Sequence, residues 1–472
     1  MTYQEGLFEL LQLLKLDDIH LWHVVIEALL VLSLVWLAFA KRYRQHTPKD
    51  EPLSKKEEDE LIAEFEPEPL AKPSTQLVKT TMTPVLDSAA GRQVLVNGQE
   101  CINFATFNFL GFVGDKAVED AAVKSIQKYG VGSCGPRGFY GTIDCHLQLE
   151  EELAKFCKVE EAILYSYGFA TIASAIPAYS KRGDIIFVDE NVNFAIQKGL
   201  VASRSRIIKY AHNDMADLEK KLETQKKEDA KDPVKAKATR RFLVTEGVFA
   251  NSGDICPLPK LVEFKYKYLV RLIIDESFSF GVLGESGRGI TEHFDVDPEE
   301  VDIMSVSMGT ALASVGGFCA GRAFVIDHQR LSGQGYCYSA SLPPLLANAA
   351  LNTLERIGNT EGRQRRQRLR ANVHGFLRAM KTNKNFVCEG SEQAPIVHVS
   401  LRNSTASIAD QEQTLQTLVE SGFKHGLALT RANYLRDDEM TQHRASIRVA
   451  LSSEHTEEDI DTLVMFFEQA QL

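Results

Sequence analysis

The run LVRLIIDES at residues 269–277 indicates the fold class of this 472-residue chain. Five of its first six residues are apolar, and two acids, Asp275 and Glu276, follow them. A short continuous apolar run is typical of a strand that helices cover on both faces, as in a parallel sheet. Ligands of such sheets bind beyond the carboxyl ends of the strands, so Asp275 is a candidate site residue. Acids at a strand end also serve loop solubility alone, and the run by itself leaves both interpretations open.

Comparable apolar runs recur along the chain and are separated by segments of helical length. They occupy residues 162–164, 185–188, 242–244 and 303–306. This alternation predicts an α/β body built on a large, mostly parallel sheet. We assign it to a large domain at residues 86–345.

The last part of the chain has a different pattern. Residues 396–401 and 447–451 resemble strands, residues 411–420 resemble a helix, and Thr456 with Asp459 has the spacing of a capping box. We expect a smaller α+β domain at residues 346–472.

The overall composition is that of a globular protein, with 44% hydrophobic and 25% charged residues. Lysine and arginine number 53 against 64 aspartates and glutamates, a net charge of −11. This charge disfavours nucleic acid as a partner, because phosphates repel an acidic chain. The eight cysteines form no C-x-x-C pair and no metal-ligand spacing. We therefore expect reduced thiols, no metal site and a cytosolic body.

Residues 21–40 form an apolar stretch whose second half carries no charge. About 20 apolar residues cross a bilayer, so we expect one retained transmembrane helix within an N-terminal anchor at residues 1–49. Basic residues follow the stretch and mainly acidic ones precede it, which predicts a lumenal N-terminus and a cytosolic body. Glu27 interrupts the stretch and is expected at an interface, against a partner helix, or protonated. A buried soluble helix is the alternative.

Three other segments show amphipathic or strongly polar patterns. Leucines at 7, 10, 11 and 14 predict a helix that lies in the membrane interface or packs on a partner. The acidic residues 50–85 are interpreted as a solvated linker without a fold of its own. The lysine-rich residues 220–241 are interpreted as an exposed helix and loop.

A glycine-rich loop at residues 130–142 is the second candidate for function. Five glycines surround Cys134, Arg137 and Tyr140, and Gly135 is one of them. Glycines permit close backbone approach beside a fixed cation, which favours a substrate loop or a subunit contact. A plain structural loop explains the same pattern. The turn at residues 166–170 has free N–H groups for a phosphate but is not diagnostic.

Taken together and in this order, the segments resemble the α-oxoamine synthases. These are pyridoxal-phosphate enzymes of the type I aminotransferase fold, within the class II aminotransferase family, that join an amino acid to an acyl-CoA. The resemblance rests on NFLG at 108–111, GPRGFYGT at 135–142, His146 before Leu149 and Glu150, IDE at 274–276, GGF at 316–318, SASLPP at 339–344 and LSSEHT at 451–456.

The resemblance also implies that this chain lacks the family's chemistry. The lysine that forms a Schiff base with the cofactor corresponds to Thr310, and no lysine occurs between Lys267 and Lys381. The histidine of the family's Asp-Glu-Ala-His segment corresponds to Phe278, and the histidine that stacks on the cofactor corresponds to Asn193. The carboxylate that pairs with the pyridine nitrogen is retained as Asp275. The alternative is that a lysine from another part of the chain, such as Lys209 or Lys267, reaches the site and forms the Schiff base.

In this family, two subunits form the active sites at their interface. The resemblance therefore implies that Ser339, Ala340 and Ser341 reach a partner's cofactor phosphate, although a plain loop before a helix explains them too. It places the loop residues Cys134, Gly135, Arg137 and Tyr140 near the same interface.

The expected function is that of a non-catalytic but required subunit at the endoplasmic reticulum membrane. Its partner would be a lysine-bearing homologue that holds pyridoxal phosphate and joins L-serine to palmitoyl-CoA, giving 3-ketosphinganine for sphingolipid synthesis. A small activating subunit and Orm-type regulators are further partners that the resemblance implies. A membrane-anchored regulatory scaffold and a self-sufficient synthase are the alternatives.

Overall fold

The computed structural model of the chain describes residues 21–39, 54–67, 70, 78–81, 83–133 and 135–470. These residues belong to two units, Met1–Thr75 and Gln76–Leu472. The predicted interfacial helix at residues 7–14, the basic flank after residue 40, and Cys134 lie outside the described residues.

The first unit contains helix α1 (Leu21–Phe39). Large apolar side chains of α1 are exposed, including Leu32 and Trp36. No helix within the described residues is long and apolar enough to cross a membrane. The span at residues 21–40 stays a prediction.

Helix α2 (Lys55–Glu64) lies within residues 50–85, whose interpretation as a solvated linker without a fold of its own stays a prediction. Ser54 and Glu57 form a capping box, in which Ser54 N donates to Glu57 Oε2 at 2.9 Å. This box satisfies backbone N–H groups that the first turn of a helix leaves free. The acidic composition of the segment obscured this capping pattern in the sequence. No residue of α2 is buried.

The second unit contains the strands of three sheets. In chain order they are β1 (Gln93–Val96), β2 (Gln99–Asn103), β3 (Glu161–Tyr165), β4 (Ile185–Asp189), β5 (Arg206–Tyr210), β6 (Arg241–Glu246), β7 (Arg271–Asp275), β8 (Ile303–Ser307), β9 (Gly317–Gly321), β10 (Phe386–Glu389), β11 (Ile396–Leu401), β12 (Leu427–Ala428), β13 (Thr430–Arg431) and β14 (Ile447–Ala450).

Its helices connect and cover these strands. In chain order they are α3 (Lys116–Tyr129), α4 (Asp144–Cys157), α5 (Gly168–Tyr179), α6 (Phe194–Ser203), α7 (Met215–Lys231), α8 (Pro233–Ala238), α9 (Leu258–Tyr268), α10 (Ile290–His293), α11 (Ala323–Ser332), α12 (Gln334–Cys337), α13 (Pro344–Ile357), α14 (Thr360–Met380), α15 (Ile408–Lys424) and α16 (Glu457–Gln469).

The largest sheet has seven strands in the order β3-β9-β8-β7-β6-β4-β5. Strands β5, β4, β6, β7 and β8 pair in parallel, whereas β9 is antiparallel to both β3 and β8. Every residue of β4 is buried, and helix α5 contacts β8 and β9. The predicted α/β body with a large, mostly parallel sheet is confirmed, and the sheet is mixed because of β9.

The carboxyl-terminal part forms a four-stranded sheet, β10-β11-β14-β13, while β12 joins β1 and β2 in a three-stranded sheet. The strand expected at residues 396–401 is present as β11, and Thr456 and Asp459 form the predicted capping box of α16. The helix expected at residues 411–420 extends further in both directions, as α15.

One strand boundary and two strands of the large sheet differ from expectation. The apolar run at residues 269–274 begins two residues before β7, because Leu269 ends α9 in a left-handed conformation with φ +54°. Strands β5 and β9 were not predicted. The charged residues Arg206 and Lys209 leave β5 only a short apolar run, and β5 lies at the edge of the sheet.

Candidate functional site

The carboxyl ends of neighbouring parallel strands bring three predicted site residues together. Asp275 ends β7, and Glu246, which ends β6, is its register partner. Asn193 caps the first turn of α6 beside them, and Thr310 follows β8. The location agrees with the rule that ligands of open α/β sheets bind beyond the carboxyl ends of the strands.

Asp275 is buried, and both of its carboxylate oxygens are engaged within the chain. Oδ1 accepts hydrogen bonds from Ser277 N at 3.0 Å and from Ser277 Oγ at 2.5 Å. Oδ2 accepts one from Asn193 Nδ2 at 2.9 Å. Burial raises the pKa of Asp275, and the hydrogen bonds from Ser277 and Asn193 oppose that shift. The retained carboxylate therefore binds its own chain.

Asn193 has two structural roles at this point. Its Oδ1 accepts from Ile196 N at 3.1 Å and caps α6, while its Nδ2 donates to Asp275. A side-chain amide supplies an acceptor and donors together, which makes both contacts possible. The residue that replaces an aromatic ring in the resemblance thus holds Asp275 in place.

Glu246 is a site residue that the sequence analysis missed. It is fully buried, and its carboxylate accepts from Asn193 N at 2.7 Å and from Ala250 N at 3.1 Å. Burial, followed by the charge of Asp275, raises the pKa of Glu246. The available signal was the same as for Asp275, an acid directly after an apolar run.

Thr310 lies where the resemblance places the lysine, and it is buried. Its Oγ1 lies 2.6 Å from Ser277 O and 3.2 Å from Ser307 O, both of which accept hydrogen bonds. The hydroxyl therefore ties the segment after β8 to the segment after β7. It does not supply an amine.

Phe278 makes this region aromatic. Its ring centroid lies 5.0 Å from that of Phe107, edge to face, and 6.0 Å from that of Phe109. An apolar ring cannot transfer a proton as the family's histidine would. The Phe278 ring packs in an aromatic cluster.

Glu276 follows Asp275 and is a third buried acid that forms no ion pair with the described residues. Its Oε2 accepts from Ser279 Oγ at 2.5 Å and from Ile290 N at 2.8 Å, whereas its Oε1 has no hydrogen-bond partner among the described residues. Burial raises the pKa of Glu276 to about 7. Its ionisation falls near neutral pH.

The residues present do not fit covalently bound pyridoxal phosphate. No lysine occurs between Lys267 and Lys381 in the sequence. Lys209 Nζ donates to Met440 O at 2.7 Å, and Lys267 Nζ pairs with Glu219 Oε1 at 2.6 Å. The two lysines considered as substitutes are therefore engaged elsewhere. Asp275 already accepts hydrogen bonds on both oxygens, from Ser277 and from Asn193.

The glycine-rich loop is fixed by a buried ion pair. Arg137 forms a bidentate pair with Glu150, at 2.8 Å for Nη1–Oε1 and 2.9 Å for Nη2–Oε2, and its Nε donates to Thr142 Oγ1 at 3.0 Å. A Cβ atom at Gly141 would lie 2.0 Å from Gly135 O, so only glycine permits this approach. Arg137 supports the loop.

The predicted segment Ser339, Ala340 and Ser341 lies against this loop. Ser341 N donates to Gly135 O at 2.9 Å, and Ser341 Oγ donates to Gly141 O at 2.5 Å. Ser166 Oγ donates to Ala340 O. The backbone of this segment is thereby joined to the loop and to the turn after β3.

Three aromatic side chains of these two segments are exposed. Tyr140 is fully exposed and has a left-handed φ of +63°, and Phe139 and Tyr338 are 74% and 86% exposed. Exposed aromatic side chains are enriched at sites of protein association. We call Phe139, Tyr140 and Tyr338 the aromatic face.

A family model described as aminotransferase class I and II matches residues 99–467. The chain belongs to this family. It is 41% identical over 441 residues to long chain base biosynthesis protein 1 of Arabidopsis thaliana, covering 93% of this chain and 89% of the relative. It is 40% identical over 448 residues to serine palmitoyltransferase 1 of Dictyostelium discoideum, covering 93% and 91%. The resemblance found in the sequence is confirmed.

Solved structures agree in fold. Serine palmitoyltransferase from S. paucimobilis with bound PLP–myriocin aldimine superposes with a TM-score of 0.73 at 24% identity, covering 82% of this chain and 91% of that chain. The enzyme from Sphingomonas wittichii gives a TM-score of 0.73 at 24% identity, covering 90% and 98%. These similarities establish the aminotransferase-like fold.

Proposed function

We propose that this chain is a non-catalytic, required subunit of serine palmitoyltransferase, which condenses L-serine with palmitoyl-CoA to 3-ketosphinganine in sphingolipid synthesis. One observation carries the proposal. Thr310, which the resemblance aligns with the Schiff-base lysine, bonds backbone carbonyls, while Asn193 and Ser277 donate to the carboxylate of Asp275. A Schiff base needs an amine that no other side chain replaces.

The partner is a lysine-bearing homologue, which holds the pyridoxal phosphate. The aromatic face and the Ser339–Ser341 backbone are the surfaces that this chain offers to that partner. The buried Arg137–Glu150 pair fixes the loop that carries this surface. This favours a contact surface that is already formed before the partner binds. Names of relatives, long chain base biosynthesis protein 1 and serine palmitoyltransferase 1, support the reaction class.

The location belongs to the same proposal. We place the complex at the endoplasmic reticulum membrane, with residues 21–40 as a single span, a lumenal N-terminus and the body in the cytosol. Acyl-CoA and the long-chain product both partition into bilayers, which favours a membrane-bound enzyme. The small activating subunit and Orm-type regulators are assigned as additional partners on the family resemblance.

Activity of separately and jointly purified chains tests the proposal. Product is expected only from the pair, and replacing the partner's Schiff-base lysine by alanine abolishes it. Thr310→Ala in this chain is the matched variant, and it leaves turnover of the pair unchanged because no chemistry passes through Thr310. Turnover by this chain alone, or loss of turnover in a correctly assembled Thr310→Ala pair, would contradict the assignment.

A further inference from the structure

Strand β5 ends the seven-stranded sheet, and no strand of the described residues pairs with its outer edge. Arg206 N donates to Asp184 O, directly before β4, at 2.9 Å. Backbone groups of successive residues in a strand point to alternate edges, so the N–H and C=O groups of Ile207 and Lys209 point to the outer edge. An edge with such groups is a template for the addition of another strand.

A cavity of about 340 Å³ lies beside this edge, between α6 and residues 438–440. Ile207 and Lys209 line it from β5, while Leu200 and the exposed Val201 line it from α6. Because side chains alternate between the two faces of a strand, every second side chain of a strand added to β5 would lie over this cavity. The cavity therefore can select among the segments that pair with the edge.

The charges around this cavity are mainly positive. Its lining contains three cations, Lys198, Arg204 and Lys209, and one acid, Asp438. None of these three cations forms an ion pair within the part of the chain that the structure describes. The chain as a whole has a net charge of −11, so this excess of positive charge is local. A local positive field attracts acidic groups and disfavours basic ones.

The side chain of Lys209 leaves the outer edge of β5 open. Lysines on edge strands commonly prevent the addition of another strand. Here the ammonium group donates to Met440 O at 2.7 Å, and Met440 N donates to Gln197 Oε1 of α6 at 2.9 Å. These bonds hold the Lys209 side chain on the α6 face of the sheet, away from the backbone groups of the edge.

We propose that the outer edge of β5 binds an extended acidic segment of a partner protein, which joins the sheet as an added strand. The backbone of the segment pairs with the N–H and C=O groups of Ile207 and Lys209. Its acidic side chains over the cavity lie near Lys198 and Arg204, and an apolar side chain between them contacts Val201. Backbone pairing supplies affinity in this mode of recognition, and the side-chain cavity supplies specificity. The site does not depend on the function proposed above.

Fluorescence anisotropy of the full chain in detergent tests this site with a labelled heptapeptide of sequence TETVTET. Its two glutamates and its valine share one face of an extended strand. We expect saturable binding that weakens as the salt concentration rises, because salt screens exposed charges. The peptide that carries lysine in place of both glutamates should not bind. Absence of saturable binding by the acidic peptide, or equal binding by the basic one, would overturn the proposal.

Backbone methylation of the peptide distinguishes strand addition from attraction between charges alone. One peptide is N-methylated at its glutamates and valine, and the other at three of its threonines. Only one of these two sets of N–H groups faces β5, so one peptide is expected to lose affinity at least about tenfold while the other retains it. The peptide that loses affinity shows whether the added strand is parallel or antiparallel. Equal affinities of the two methylated peptides would overturn the proposal.

Two variants of the chain separate the backbone contact from the charge contact. Ile207→Pro removes an outward N–H group and keeps the pairing with β4, since edge strands tolerate proline at such positions, and it should abolish binding. Arg204→Glu reverses an exposed charge of the cavity and should lower the affinity at least about tenfold. The matched control is Arg378→Glu, at an exposed arginine of α14, which should keep full affinity. Unchanged affinity in Arg204→Glu, or in a folded Ile207→Pro chain, would overturn the site.

Discussion

Individual side chains at the carboxyl ends of the parallel strands form hydrogen bonds within the chain. Asn193 and Thr310, which in the resemblance correspond to a histidine that stacks on the cofactor and to the Schiff-base lysine, each form a hydrogen bond inside the chain, and Ser277 bonds the Asp275 carboxylate. The sequence predicts that Thr310, Phe278 and Asn193 are degenerate positions, and this stays a prediction. It did not predict the hydrogen bond from Asn193 to Asp275, because these residues are 82 positions apart.

Replacement of Asn193 by alanine should destabilise the chain through two separate contacts. The lost cap of α6 and the unpaired Asp275 oxygen together are expected to lower the free energy of unfolding by roughly 1–3 kcal/mol. Asn193→Ser retains a capping oxygen and should recover part of that loss. Urea unfolding measures the free energy of unfolding of both variants. If Asn193→Ser loses as much as Asn193→Ala, the capping oxygen contributes nothing to stability.

Glu276 should make stability depend on pH. Its pKa of about 7 in the folded chain exceeds the ordinary value of 4.5, so the folded state keeps a proton that the unfolded state has lost. The stabilisation is complete below pH 4.5 and is lost as the pH rises through 7, a change of roughly 3 kcal/mol.

Glu276→Gln removes this titration. Its free energy of unfolding should fall less than that of the unsubstituted chain between pH 4.5 and 8. Glu285→Gln, at an exposed acid, is the control and should preserve the unsubstituted profile. Parallel pH profiles of the Glu276→Gln chain and the unsubstituted chain would show that Glu276 is already ionised when folded.

At the scale of elements, short apolar runs predicted β4, β6, β7 and β8 because the central strands are buried on both faces. Edge strand β5 and the glycine-bounded β9 carried no such signal. Helix α2 was missed because its stabilising feature is a local capping box within an acidic segment. The glycine-rich loop was identified, but the support of Arg137 by Glu150 required the fold.

The aromatic face predicts how the loop acts. Tyr140→Ala should leave the stability of this chain unchanged, since the side chain is fully exposed. Affinity for the lysine-bearing partner should fall at least about tenfold, as expected for an aromatic residue at the centre of an interface. The control is Tyr266→Ala, at an exposed tyrosine on α9. The affinity of each variant for the partner is measured in detergent. Equal affinities of Tyr140→Ala and Tyr266→Ala would show that Tyr140 does not lie in the interface.

At the scale of the whole molecule, the chain preserves an aminotransferase-like fold whose own site is closed by internal contacts. Its sheet, its family and its relatives agree on the architecture. Thr310, Asn193 and Phe278 are the residues on which the proposed non-catalytic role rests. The position of the cofactor is therefore the property that distinguishes this account from a self-sufficient enzyme.

Borohydride reduction of the purified pair, followed by intact-mass measurement of each chain, tests this most directly. Reduction fixes pyridoxal phosphate covalently to the lysine that holds it. We expect the added mass on the partner only, with this chain unmodified whether it is purified in the pair or alone. Added mass on this chain would contradict the account, because it would place a Schiff-base lysine in the chain that carries Thr310.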